Sequence, residues 1–219
     1  MKRLLSLLAA TLVAVAGCEK SQPTAGSGPA GNPAEAASYA MPKEGGKVEL
    51  NSDNTHIEWA ASASKPMPHS HKGKFTRMTG ATKLTTFGPG QQFKEQPAPL
   101  ESLSVEIDAT SIDSDTPKLT DHLKKDDFFA VTEFPKITFK STKIEPVPGK
   151  INECIITGDL TIRDKKVSIT FPAKISKEKT FYMEAAFDLS RKEIGQKFGA
   201  DNIDDKVNVK VTVGKPVTK

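Results

Sequence analysis

The side chains in this 219-residue chain best suited to bind, transfer or attack are four histidines and two cysteines: His56, His69, His71, His122, Cys18 and Cys154. His69 and His71 lie two apart, so on a strand they share a face, and with His122 or an aspartate they would make a divalent-ion site. Neither a nearby cysteine nor a helical His-x-x-x-His spacing accompanies them, so solvated or hydrogen-bonded histidines explain the pair better and no metal site is assigned. Asp121 beside His122 invites acid–base chemistry. Adjacent helical residues point about 100° apart and do not form a hydrogen-bonded dyad. The expectation is instead a buried imidazole donating to a backbone carbonyl, with Asp121 facing solvent or a cation. The chain carries no Gly-x-Ser-x-Gly turn, phosphate-cradling loop or dinucleotide fingerprint. No catalytic residue is assigned; an enzyme using His122 stands as the alternative to a binding protein, and a ligand-free interaction or envelope-stress module as a third reading.

The two cysteines belong to different chemistries. Cys18 ends Val15-Ala16-Gly17-Cys18, which follows a basic start at Lys2 and Arg3 and an apolar run from Leu4 to Ala14. That run is too short for a membrane span and closes on small residues, which reads as a lipoprotein signal peptide over residues 1–17. Cys18 is then the lipid-attachment residue and the new N-terminus. Glu19 in place of an aspartate lacks the enterobacterial inner-membrane retention signal and favours the outer membrane. Residues 18–46 are a linker: Glu19 to Gly46 contain four prolines and five glycines and no apolar periodicity. As a flexible coil it separates its ends by about 30 Å, tethering a domain without pressing it to a bilayer. Cys154 shares the parity of Ile156, Leu160 and Ile162 and is expected to be a small buried hydrophobe.

Residues 47–219 suffice for one domain with a single substantial core. Without Lys2 and Arg3 the chain carries 31 − 2 = 29 basic against 27 acidic residues. A formal +2, with no basic block interleaved with aromatics, excludes nucleic acid as a partner.

Positioning falls to strands. Leu103, Val105, Ile107 and Ala109 alternate with Ser104, Glu106 and Asp108, the period of a strand with one buried face. The pattern returns at Ile137 and Phe139, at Cys154 to Ile162, at Phe181 to Leu189 and at Val207 to Val213. Arg163-Asp164-Lys165-Lys166 is a polar hairpin tip. The exception is Ser114 to Asp127, where Pro117 suits a helix's first turn, Thr116 or Ser114 can cap it, and Leu119 and Leu123 make one apolar stripe. Phe128, Phe129 and Phe134 then act either as a lid or as ordinary core. The fold class expected is all-β: a single antiparallel barrel of about eight strands with one short helix. Periodicity alone leaves open whether its interior is hollow or filled.

Asp53-Asn54-Thr55-His56, His71 to Phe75, Ser111-Ile112-Asp113, Asp121-His122-Leu123, Asp126 to Phe129, Phe134 to Phe139, Gly158 to Ile162, Arg191 and Gly195 occur in an order that resembles the YceI-like family. The resemblance spans about the last three quarters of the chain. It departs at His69-Ser70-His71 and at a long insertion, Thr85 to Pro99, both expected near one barrel mouth. The resemblance implies a lipocalin-like barrel in the bacterial envelope that binds a polyisoprenoid or quinone-type lipid, with no other cofactor. Apolar parity places Trp59, Val105, Ile107, Ile137, Phe139, Leu160 and Phe187 on the wall of such a cavity; Phe75, Phe128 and His122 complete the expected ligand-binding set. The resulting expectation is a periplasm-facing carrier held to the membrane by its N-terminal lipid. Whether it is a monomer or a dimer is not decided by the sequence.

Overall fold

The computed structural model describes residues 46–86, 97–176, 180–196 and 198–215. Cys18, the signal segment and all but the last residue of the linker lie outside the described residues. The strands are β1 (Lys47–Asn51), β2 (Thr55–Ala63), β3 (His69–Phe75), β4 (Met78–Leu84), β5 (Leu100–Asp108), β6 (Ile112–Ser114), β7 (Lys136–Val147), β8 (Lys150–Ile162), β9 (Lys165–Ser176), β10 (Tyr182–Ser190) and β11 (Ile203–Val213). Among the described residues one helix, α1 (Pro117–Leu123), interrupts them. All the strands pair antiparallel in one sheet of order β1-β4-β5-β7-β8-β9-β10-β11-β2-β3-β6.

Among the described residues eleven strands stand where the sequence suggests about eight, because three long strands each break once and change partners. β1 runs into β2, β3 into β4, and β5 into β6, the lower piece joining one end of the sheet order and the upper piece the other. The chain itself thus links the two ends of the order and curls the sheet into a barrel-like shell. Each break frees backbone N–H groups from the ladder, and these need other acceptors. Serines supply them: Ser111 Oγ accepts from Thr76 N–H (3.2 Å) and Arg77 N–H (3.0 Å) and donates to the Asp108 carbonyl, while Ser52 Oγ accepts from Met78 N–H. Buried Asn54 closes the first break, its amide donating to the Glu49 carbonyl at 2.8 Å. The inward parity switches at each break, between Leu50 and Thr55, between Phe75 and Met78, and between Ile107 and Ile112.

One end is solid. Leu50, Leu84, Leu100, Cys154, Ile156, Ala173, Ile175, Phe181, Met183 and Val213 are each at most 3 % exposed. The connection from Leu84 to Leu100 joins this end, and Thr85 N–H donates to the Pro99 carbonyl there. The histidine pair starts β3 at the other end, so the expected common mouth for the insertion and His69–His71 is not found; residues 87–96 lie outside those described.

α1 is shorter than the Ser114–Asp127 segment. Thr116 occupies its N-cap without a side-chain cap bond, whereas Ser114 N–H and Oγ both meet Thr120 Oγ1 at 2.9 Å. Beyond Leu123 the chain turns rather than coils, through Phe129 N–H to the Leu123 carbonyl and Ala130 N–H to the Lys125 carbonyl. Arg163, in the two-residue turn between β8 and β9, pins this segment by donating to the Asp126 and Phe128 carbonyls.

Candidate ligand-binding cavity

Hollowness shows on the inward faces of single strands. On β10, Met183 and Ala185 are buried while Phe187, on the same face, keeps accessible surface. On β11 Val213 is buried and Val211, Val209 and Val207 are not; on β2 the change falls between Ile57 and Trp59. A filled interior would bury both members of each set. The space they face is an apolar cavity of about 320 Å³, within the size range of about 300–1,000 Å³ of small-ligand sites.

The seven residues that parity places on the wall line this cavity, and so do the three further candidates Phe75, His122 and Phe128. Trp59, Phe75, Val105, Ile107, Ile137, Phe139, Leu160 and Phe187 come from the strands, and His122 and Phe128 from the segment over the open end. Ile107 pairs with Ile137, and Val105 with Phe139, across β5 and β7, so parity carries the set from strand to strand. Phe171 stacks on Phe187 with centroids 4.5 Å apart and meets Phe139 at 5.5 Å, forming an aromatic ledge in the wall. Gly158 makes room for that ledge, because a Cβ there would collide with the Phe139 ring and the Lys140 carbonyl. Gly73 does the same for the Trp59 indole.

The open end is covered by two segments. From α1 and the turns after it come Leu119, His122, Leu123, Phe128 and Phe129; Leu123 and Phe128 are buried with Ile112, and Trp59, Phe75 and Ile203 pack on that cluster. Phe134, the third aromatic of the group, is absent from the lining and lies under the Arg163 guanidinium at 5.7 Å. The second segment, between β10 and β11, contributes Arg191, Ile194, Gln196 and Phe198. Its order rests on Arg191, 3 % exposed, which donates to the carbonyls of Phe198 and Ile203. Burial pushes that guanidinium below its ordinary pKa while the Asp205 carboxylate acts in the opposite sense. Asp205 is itself held below the usual carboxylate range, first by the Lys192 N–H and then by the Ser190 hydroxyl.

His122 differs from expectation. Its Nε2 meets the Asp127 carboxylate at 2.9 Å rather than a backbone carbonyl, and it is half-buried. Its ring sits edge-on to Phe128 and Phe198, with centroids 5.1 and 4.8 Å away. Across the mouth His71 Nδ1 meets Asp115 at 2.9 Å, the contact that most lowers the Asp115 pKa, and His69 Nδ1 meets the Met67 carbonyl at 2.8 Å. Among the described residues no group of three or more His, Cys, Asp or Glu is arranged to hold a metal. Gln196 and Phe198 escaped the sequence reading because they lie in a turn, where no alternation marks an inward side.

An antiparallel shell, filled at one end and hollow at the other with a covered mouth, defines the architecture of a small-ligand β-barrel. The chain belongs to the YceI-like domain family, whose model matches residues 49–214. It is 28 % identical over 142 residues to the UPF0312 protein of Vibrio parahaemolyticus, covering 64 % of each chain. To Protein YceI of Shigella flexneri it is 28 % identical over 144 residues, covering 65 % of this chain and 63 % of that one. It thus spans just under two thirds of these relatives' length. Among solved structures, Burkholderia cenocepacia BcnA aligns with a TM-score of 0.59 at 23 % identity, over 73 % of this chain and 94 % of that chain. A polyisoprenoid binding domain from Saccharophagus degradans aligns at 0.52 and 10 % identity, over 78 % and 97 %. These two likenesses establish the fold.

Proposed function

We propose that this protein is a lipid-binding protein that sequesters or carries a polyisoprenoid or quinone-type amphiphile in its cavity. The observation that carries the reading is the set of inward apolar side chains that keep accessible surface, since such surface is stabilised only when something apolar fills it. Each Å² so covered contributes about 25 cal/mol, and an extended prenyl chain supplies enough area for binding after association costs. Family membership and the polyisoprenoid description of the Saccharophagus domain support the ligand class. The N-terminal lipobox supports attachment through a diacylglycerol on Cys18, on the periplasmic side of the bacterial envelope and at the outer membrane. Mass spectrometry of organic extracts of the natively purified chain tests the ligand: a co-purifying prenyl lipid is expected, and a chain that yields none and takes up none when challenged overturns the reading.

The His122–Asp127 pair favours a second reading, an enzyme in which a carboxylate-held imidazole acts as acid or base on an isoprenoid-like substrate. Turnover of a prenyl substrate by the wild-type chain, lost in His122→Gln, is what that reading requires.

A further inference from the structure

Both covers of the mouth are fastened. Arg163 donates to the Asp126 and Phe128 carbonyls in the segment after α1, and Arg191 to the Phe198 and Ile203 carbonyls in the turn between β10 and β11. The wall has a looser place. β9 pairs with β8 from Lys165 to Lys174, and β10 with β11 from Met183 to Ser190. β9 and β10 pair with each other only from Ala173 to Ser176 and from Tyr182 to Ala185, at the filled end. The next position of β9 is Pro172, which has no N–H to continue the ladder.

From there to the mouth no register pair joins the two strands. Polar side chains along this seam turn away from it: Thr170 meets Thr157 and Lys166 meets Asp159, both on β8, while Asp188 meets Lys206 and Asn208 on β11. Among the described residues no side-chain hydrogen bond or ion pair crosses it there. What closes the seam is apolar. Extending the register sets Phe187 opposite Phe171 and Leu189 opposite Ile169, and all four line the cavity. The two phenylalanine rings stack across the seam at 4.5 Å. A hydrocarbon chain that crossed a ladder would strand backbone donors and acceptors against a group that cannot bond them. Crossing the seam, it exchanges one apolar contact for another.

We propose that the prenyl chain enters and leaves the cavity sideways, through the seam between β9 and β10 from Pro172 to the mouth, with the Phe171–Phe187 stack as its gate. The assignment rests on the lipid-cavity reading above. Tethering the seam from outside tests it, in the full chain carrying Cys18→Ser, where the one native cysteine left, Cys154, is buried. Thr170→Cys and Asp188→Cys place thiols on exposed positions opposite each other in the extended register, and a short bifunctional methanethiosulfonate joins them until a reductant cuts the link. Thr157→Cys with Thr170→Cys, joined in the same way across the paired β8–β9 ladder, is the control. Trp59, the chain's only tryptophan, lines the cavity, so stopped-flow fluorescence follows its filling by geranylgeraniol. The seam tether is expected to slow loading and release at least about tenfold, reversibly and with affinity within about threefold, while the control tether changes loading by less than about twofold. Loading equally fast with the tether closed and cut overturns the seam and sends the chain through the mouth. Equal slowing by the control overturns it too, as any fastening of the wall would then suffice. Should the first pair not fold, Ser168→Cys with Ser190→Cys tethers the same seam nearer the mouth. Geranylgeraniol that fills no form of the protein overturns the lipid reading itself.

Discussion

Loss of the His122 imidazole removes one bond to Asp127 and two edge contacts, to Phe128 and Phe198, at the rim of the cavity. If apolar burial supplies most of the affinity, His122→Gln weakens lipid binding by between about twofold and a hundredfold, the range of a lost hydrogen bond with or without a stranded partner. If His122 is an acid or base, turnover falls by about 10²–10⁴ with binding intact. Retained lipid and no chemistry in either protein leave the carrier standing. Deeper in the wall, Ile107 is 8 % exposed and flanked by Met78 and Ile137. Ile107→Glu puts an unpaired carboxylate in that setting and is expected to cost several kcal/mol. An unchanged urea midpoint would contradict the inward register of β5. Such wall positions are legible in sequence because one strand face repeats every second residue. Gln196 and Phe198 over the mouth are not, since they lie in a turn where nothing alternates.

At the scale of elements, the strands themselves were legible from alternation, but their three breaks were not. The inward parity shifts at each break, by the odd spacings between Leu50 and Thr55, Phe75 and Met78, and Ile107 and Ile112. Such a shift looks the same in sequence as a turn between two separate strands, and the serines, Asn54 and Asp108 at the breaks look like residues that face solvent. Asp108 tests the importance of one break. Its carboxylate accepts from Thr110 N–H and Oγ1 and from Arg77 Nε, bracing the 3-10 turn Ala109–Ser111 between β5 and β6. The Thr110 hydroxyl first, and then Arg77 and the Thr110 N–H, hold its pKa below the ordinary value against some burial. A native pKa lowered in this way stabilises the fold above the unfolded value of about 4, and the stabilisation is lost as pH falls through the native value. Asp108→Ala is expected to cost roughly 0.5–1 kcal/mol at pH 7, the lower part of the range for a lost cap because the side chain is more than a third exposed. The variant and wild type should then converge at low pH. A gap in denaturation midpoints that stays constant from pH 7 to pH 3 would assign the loss to packing instead.

For the whole molecule, the proposed anchor makes location a matter of one atom. Cys18→Ser removes the thiol that would take the diacylglycerol, and the mature chain should move from the membrane to the soluble periplasmic fraction. Fractionation unchanged by the substitution would count against lipidation at Cys18. The all-β class was legible from the strand pattern and the family motifs. The barrel's hollowness was not, because an inward valine looks the same whether it touches a neighbour or an empty space. The location of the long insertion was also hidden, as a connection's end of the barrel follows from strand direction rather than composition.

The contrast between the filled end and the hollow end has a consequence for how the molecule opens. Local opening costs least where few apolar contacts must be broken. Amide hydrogens near Met183, Ala185 and Val213 should therefore exchange with solvent slowly, near the rate set by global unfolding, and those near Val207 and Phe187 orders of magnitude faster, although both groups share β10 and β11. A ligand that fills the cavity should slow the second group and leave the first almost unchanged. Uniform protection along both strands in the empty protein would mean that the barrel opens only as a unit. A gradient that levels on filling would make the bound lipid the missing upper half of the core, and its departure the first step of unfolding.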